Sequence, residues 1–192
     1  MAKKVVVLLA DGFEEVEAVT PIDYLRRAGL DLSTAAIGKG KTVTGSHGIP
    51  VNADFLLSEL GDRGAAYWDA VVLPGGMPGA SNLAASAATG KLLKDMAAAG
   101  KVVAAICASP AVVLSPLGLL AGRRFTCFPV MENQVDLSLN PGGRWSEDRV
   151  VADGSLVTSR GAGTAGAFAV ALIGLLLGEE EGKTIARTVL LA

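Results

Sequence analysis

The sequence predicts an α/β fold, a mostly parallel β-sheet covered by helices on both faces, and three observations predict it. Uninterrupted apolar runs at Val5–Leu9 and Val102–Ile106, with a shorter one inside Trp68–Leu73, read as strands buried on both sides. Helical segments rich in Ala, Leu and Val alternate with them, the pattern that gives right-handed crossovers between parallel strands. Each strand then ends in a turn that carries chemistry-capable residues: residues 10–17, 74–79 and 106–110. Sheets of this kind bind ligands at the carboxyl ends of their strands.

Taken in order, Val5–Leu9 leads through Asp11 and Gly12 into a helix from Phe13 to Gly29, expected to bend at Pro21 and to be closed by Gly29. Leu30–Ile37 is the next strand. Residues 39–51 mix turn residues with short extended pieces, as in a hairpin excursion. Trp68–Leu73 is the third strand, Ala88–Ala99 an amphipathic helix closed by Gly100, and Val102–Ile106 the strand before a cysteine elbow. Pro110 suits the first turn of a following helix. Arg123–Cys127, Arg149–Val151 and Leu156–Thr158 read as further strands at an edge. An apolar helix after Gly163 and a polar hinge, Glu179–Lys183, close the chain.

The 192 residues, of which 51% are apolar, suffice for one domain spanning residues 1–192 with a substantial core. Net charge is −2 with the two signs interspersed, and no basic stripe alternates with aromatics, so neither nucleic acid nor a membrane surface is an expected partner. Val5–Ala10 is too short for a signal-peptide core, and Ala165–Leu177 is short of the roughly 20 residues that span a bilayer. Cys107 and Cys127 form no CxxC pair, and a lone His47 builds no metal cluster. A reducing, cytoplasmic setting is expected, with no metal.

Cys107 stands at the junction of strand and helix with small residues, Ala105 and Ser109, two positions to either side. That spacing lets a strained elbow hold a nucleophile upright. The helix N-terminus beyond it favours the thiolate and an oxyanion beside it. A buried structural cysteine is the competing reading of this segment. Gly75 and Gly76 lack the Lys-Ser/Thr pair of a phosphate loop; the N–H of Gly76 with that of Ala108 would make an anion pocket, or the turn is simply tight. Glu14 and Glu15 read as a solvated first turn, where the helix dipole favours acids. Glu17, between Val16 and Ala18, is placed to point inward, where desolvation keeps a carboxyl protonated beside the sulfur. His47 reaches Cys107 only through folding or from a second subunit. Residues 161–166 match G-x-G-x-x-G, but too little chain follows for a dinucleotide fold, so these glycines are read as letting the last apolar helix pack closely on the sheet. Cys127, between aromatic residues, is read as packing.

Four segments, ADGFEEVE at 10–17, VVLPGG at 71–76, AAICASP at 104–110 and TSRGAGT at 158–164, together resemble the signatures of the ThiJ/PfpI family. The resemblance is to the branch of the parkinsonism-associated deglycase and its YajL-like bacterial relatives, across nearly the full chain. It implies a flavodoxin-like three-layer α/β/α sandwich, usually a homodimer, that needs no cofactor. It implies Cys107 as the oxidation-prone nucleophile, Glu17 as its protonated partner, and Gly76 and Ala108 as backbone anion donors; Gly75 and His47 are, from their positions in the chain, further candidates to support the site or a partner subunit's site. It further implies glyoxalase or deglycase activity on methylglyoxal, glyoxal or their protein adducts, or alternatively a redox sensor or chaperone-like dimer switched by oxidation of Cys107 to sulfinate. Two departures stand out. Ala108 occupies the place where PfpI-type proteases carry histidine, which argues against peptidase chemistry, and Phe128 stands where some relatives have histidine before the proline matched by Pro129.

Overall fold

The computed structural model describes residues 2–61 and 64–191. Seven strands form the main sheet: β1 (Lys4–Leu9), β2 (Asp31–Ala36), β5 (Phe55–Leu56), β6 (Ala70–Leu73), β7 (Val102–Ile106), β10 (Val150–Asp153) and β11 (Leu156–Ser159). Two short ribbons lie apart, β3 (Thr42–Thr44) with β4 (Pro50–Asn52), and β8 (Arg124–Phe125) with β9 (Arg144–Trp145). The helices are α1 (Glu15–Arg27), α2 (Gly79–Ala85), α3 (Ala87–Ala98), α4 (Ala165–Leu177) and α5 (Glu179–Thr188).

Strand order is β10-β11-β7-β6-β1-β2-β5, parallel throughout except for the edge hairpin of β10 with β11. Alternate residues of the central strands feed opposite faces. Val6, Leu8, Val71, Leu73, Val103 and Ala105 join Leu83, Leu93 and Met96 of α2 and α3. Val5, Val7, Leu9, Val72, Ala104 and Ile106 join Leu25, Phe168 and Leu172 of α1 and α4. Three layers therefore enclose two apolar seams, as expected. From β1 the chain first builds outward to β2 and then returns to the other side as β6. Strand order thus reverses between β1 and β6, and the crevice at their carboxyl ends lies beside β7.

Several elements differ from expectation. Helix α1 starts at Glu15, capped by the Glu14 side chain, and continues through Pro21; Gly29, at φ 77°, follows its end. The segment expected as a polar hinge is helical: Glu179, Glu180 and Glu181 occupy the first turn of α5 and Arg187 the last, which suits the helix dipole. Gly182 lets α5 lie close on α4, since a Cβ there would stand 2.9 Å from the Val170 carbonyl oxygen. Arg123–Cys127 does not join the main sheet. Two of its N–H groups are taken by side chains, that of Arg124 by the Asp153 carboxylate at 2.7 Å and that of Thr126 by the Thr158 hydroxyl at 2.9 Å. Beyond the elbow there is no long helix, only an irregular turn of π type at Pro110–Leu114 followed by a tighter one at Ser115–Leu117. Two of the glycines of 161–166 serve contacts other than the sheet: a Cβ on Gly166 would strike Leu191 at 2.6 Å, and one on Gly161 would meet Phe128. Among the described residues no helix is long and apolar enough to cross a membrane.

Candidate functional site

Cys107 follows β7 directly and takes φ 64°, a left-handed conformation that a β-carbon makes costly, by about 1–3 kcal/mol. The surroundings hold it there. Its N–H donates to the Ser159 carbonyl at 2.9 Å, extending the β7–β11 ladder by one residue, and its carbonyl accepts from the Phe128 N–H at 2.8 Å. One position past Ala108, the Ser109 hydroxyl donates to the Pro74 carbonyl at 2.5 Å, tying the elbow to the turn after β6. The elbow expected from the spacing of small residues is present, and the backbone N–H groups of Gly76 and Ala108 both bond the sulfur.

Glu17 reaches the same point from α1. The Glu14 carboxylate accepts from the Glu17 N–H at 2.7 Å, which fixes the first helical turn and turns the Glu17 side chain inward, where it is 1% exposed. Its Oε2 accepts from the Gly75 N–H at 2.9 Å, and the carboxyl bonds the Cys107 thiol. Gly75 leaves just enough room. A Cβ there would stand 2.6 Å from the Cys107 Cβ and 2.8 Å from Glu17 Oε2. Gly76, at φ 85°, is required on two counts, its conformation and the backbone of Gly12, Phe13 and Glu14 against which a Cβ would collide.

Burial raises the Glu17 carboxyl to about 7, against the pull of its bonds to Cys107 and Gly75. Burial and the Glu17 charge also push the Cys107 thiol up to about 12, against the lowering effect of the Gly76 and Ala108 N–H groups. The sequence reading expects an acidified thiol; the structure gives the reverse, because burial and the neighbouring Glu17 outweigh the two backbone N–H donors. Between about 7 and about 12 the pair holds one proton and one negative charge, and the arrangement supplies a sulfur, a proton carrier and two fixed N–H donors.

The other candidates separate from this pair. Glu15 is not solvated: it is 6% exposed, covered by the tip of the β3–β4 hairpin, and accepts from the His47 N–H at 2.7 Å and the His47 ring at 2.9 Å. Burial alone would raise its carboxyl, but the donors of His47 and Ile49 hold it down at about 2. The His47 ring is exposed, its pKa raised by its bond to Glu15, and it hydrogen-bonds Glu15 and Ser46. It is therefore not alone: ligand-capable atoms of Glu14, Glu15 and His47 lie within 4.8 Å of one another, a grouping that only the hairpin creates. Cys127 is fully buried, as expected for packing, and burial raises its thiol to about 12 as well.

Beside the pair opens a cleft of about 510 Å³ lined by Phe128, Pro129, Glu147, Arg149, Arg160 and residues 161–164. The sequence reading did not single out its two arginines. They flank β10 and β11, Arg149 just before the one and Arg160 just after the other, far from the elbow in sequence, and only the antiparallel edge hairpin sets them side by side.

A family model described as DJ-1/PfpI matches residues 3–175. The chain is 36% identical over 192 residues to protein dj-1beta of Drosophila melanogaster, covering 100% of this chain and 99% of that protein. It is 37% identical over 160 residues to a Thermococcus kodakarensis protein named Deglycase TK1284, covering 82% and 89% respectively. With protein DJ-1 homolog B of Arabidopsis thaliana it shares 40% identity over 187 residues, 97% of this chain but only 41% of that longer protein. Among solved structures, Toxoplasma gondii DJ-1 in oxidized form superposes with TM-score 0.91 at 41% identity, covering 98% of each chain.

Proposed function

The chain belongs to the DJ-1/PfpI family, and from that premise we propose that it is a cofactor-independent glyoxalase or deglycase acting on methylglyoxal, glyoxal or their adducts. The observation that carries this reading is the hydrogen-bonded pair of Glu17 and Cys107 at a strained elbow, with two backbone donors aimed at the sulfur.

The Glu17 carboxylate takes the proton of the Cys107 thiol as the sulfur adds to the aldehyde carbon, and passes it to the carbonyl oxygen, giving a hemithioacetal. Glu17, again a carboxylate, removes the proton from that carbon and returns it to the neighbouring carbon, while the hydroxyl proton passes to the neighbouring oxygen, leaving a thioester of the hydroxy acid. Water then cleaves the C–S bond, releasing lactate from methylglyoxal or glycolate from glyoxal and restoring the thiol. No redox partner is needed, because one carbon is oxidised while its neighbour is reduced. A carboxyl held near 7 suits both directions of proton transfer at neutral pH. His47 has no part in these steps.

A second reading has its own support. Cys107 is partly exposed, and a sulfinate formed on it would accept hydrogen bonds from Gly76, Ala108 and protonated Glu17, so oxidation would make the site a redox sensor. We also propose pairing with a second copy through Val16 and Val19 of α1 and nearby Ile49, which stand about half exposed. Glutathione-free methylglyoxal turnover by wild type and Cys107→Ser, with mass spectrometry after mild peroxide, separates the readings. Turnover lost in Cys107→Ser supports the enzyme. No turnover by wild type, with sulfinate forming at Cys107, overturns it in favour of the sensor.

A further inference from the structure

We propose that the cleft beside the reactive pair is a carboxylate subsite, so that the site takes carbonyl adducts whose carrier bears an acid group, such as adducts of amino acids or thiol acids. This rests on the glyoxalase or deglycase reading and names its substrate class.

The cleft is joined to the chemistry by shared walls. Phe128 lines it and donates its N–H to the Cys107 carbonyl. Gly161 lines it too, and a Cβ there would stand between Phe128 Cδ2 at 3.4 Å and Glu17 Oε1 at 3.8 Å. Gly161 has extended backbone, φ 166°, that any residue adopts, so its lack of a side chain is what keeps the passage from cleft to Glu17 open. At about 510 Å³ the space far exceeds a three-carbon dicarbonyl and falls in the usual range for larger ligands. It holds the carrier rather than the carbonyl.

The charge in that space is specific. Arg160 donates Nη1 to the Glu147 carbonyl at 2.9 Å, and Arg149 donates Nη2 to the Gly163 carbonyl at 2.9 Å. One backbone bond thus steadies each guanidinium while its remaining donors stay available. Neither makes an ion pair among the described residues, whereas Arg26, Arg27, Arg123 and Arg124 each face an aspartate. Arg160 is only partly exposed, so its charge is less screened than that of exposed Arg149. The single acid on the wall, Glu147, is exposed and leaves the lining with one net positive charge. A planar carboxylate matches the guanidinium fork.

The test compares hemithioacetals of methylglyoxal with N-acetylcysteine and with its neutral carboxamide. The wild type should favour the acid by roughly 10- to 100-fold in kcat/KM, the range of one or two charge-assisted hydrogen bonds. That preference should collapse toward unity in Arg160→Gln, fall less in Arg149→Gln, return in part in Arg160→Lys and rise in Glu147→Gln. Arg187→Gln, on α5, should retain it. A second arm needs no turnover: N-acetylglycine should shift the Arg160 Nε–H resonance saturably in wild type. If nothing is turned over but this shift saturates, the enzymatic reading fails and the subsite stands. Equal kcat/KM for acid and amide, or no shift, overturns the subsite.

Discussion

Glu15 and Glu17 lie two residues apart on one helix, both buried, and are driven in opposite directions, Glu15 down to about 2 and Glu17 up to about 7. Burial opposes the charge of each; the donors around them decide the outcome. Glu15 faces the hairpin tip, where two backbone N–H groups and the His47 ring compensate its charge. Glu17 faces the elbow, where one backbone N–H from Gly75 meets it and the remaining partner is a thiol that competes for the same proton. A fully compensated carboxylate is a structural anchor, and an undercompensated one is a proton carrier.

Removing each carboxyl in turn is the sharpest way to break this contrast. Glu17→Gln should lower methylglyoxal kcat/KM by roughly 10²- to 10⁴-fold, the span of general acid–base catalysis, while its fold persists. Glu15→Gln should act mainly on stability, costing about 2 kcal/mol through its buried donors. Steady-state kinetics beside denaturant titration reads both, and equal turnover losses would erase the distinction.

The pH dependence of stability separates the two further. Folded Glu17 keeps its proton to about 7, whereas an unfolded one releases it near 4.5, so the native state binds more protons between those values. Its contribution is full below 4.5 and lost as pH rises through 7, by roughly 3 kcal/mol. Glu17→Gln should therefore gain stability relative to wild type across that window. Glu15 runs the other way: its contribution is present above 4.5 and lost as pH falls toward 2, so wild type and Glu15→Gln should converge in acid. Urea titrations at several pH values measure both slopes, and parallel curves for Glu17→Gln and wild type would refute an elevated Glu17.

Gly75→Ala sharpens the elbow side alone. Its Cβ would crowd both Cys107 and Glu17, so a loss of roughly 1–3 kcal/mol with reduced turnover is expected, measured by thermal unfolding beside the aldehyde assay. The smallest effect is expected for His47→Ala, which should leave methylglyoxal kcat/KM unchanged, because the ring bonds Glu15 on the exposed side of the hairpin. A large loss of turnover would bring His47 back into the reaction.

Much of this was legible before folding was considered. The elbow could be read from small residues around Cys107, and the inward turn of Glu17 from its apolar neighbours, because both follow from local sterics and helix periodicity. The burial of Glu15 could not be read, since the residues that cover it arrive from positions 45–49. Helix α5 was missed because its acidic start looks like a hinge until Gly182 is seen seated on α4.

The sequence by itself determined the alternation of strand and helix, the layering of the sheet and the placing of a cysteine at a strand end, since these rest on apolar runs, periodicity and turn chemistry within short windows. Only the tertiary structure decided the direction of each proton equilibrium and the pairing of Arg149 with Arg160 along one cleft. Electrostatic balance depends on which donors and charges lie within a few ångströms, and those neighbours came from segments tens of residues apart.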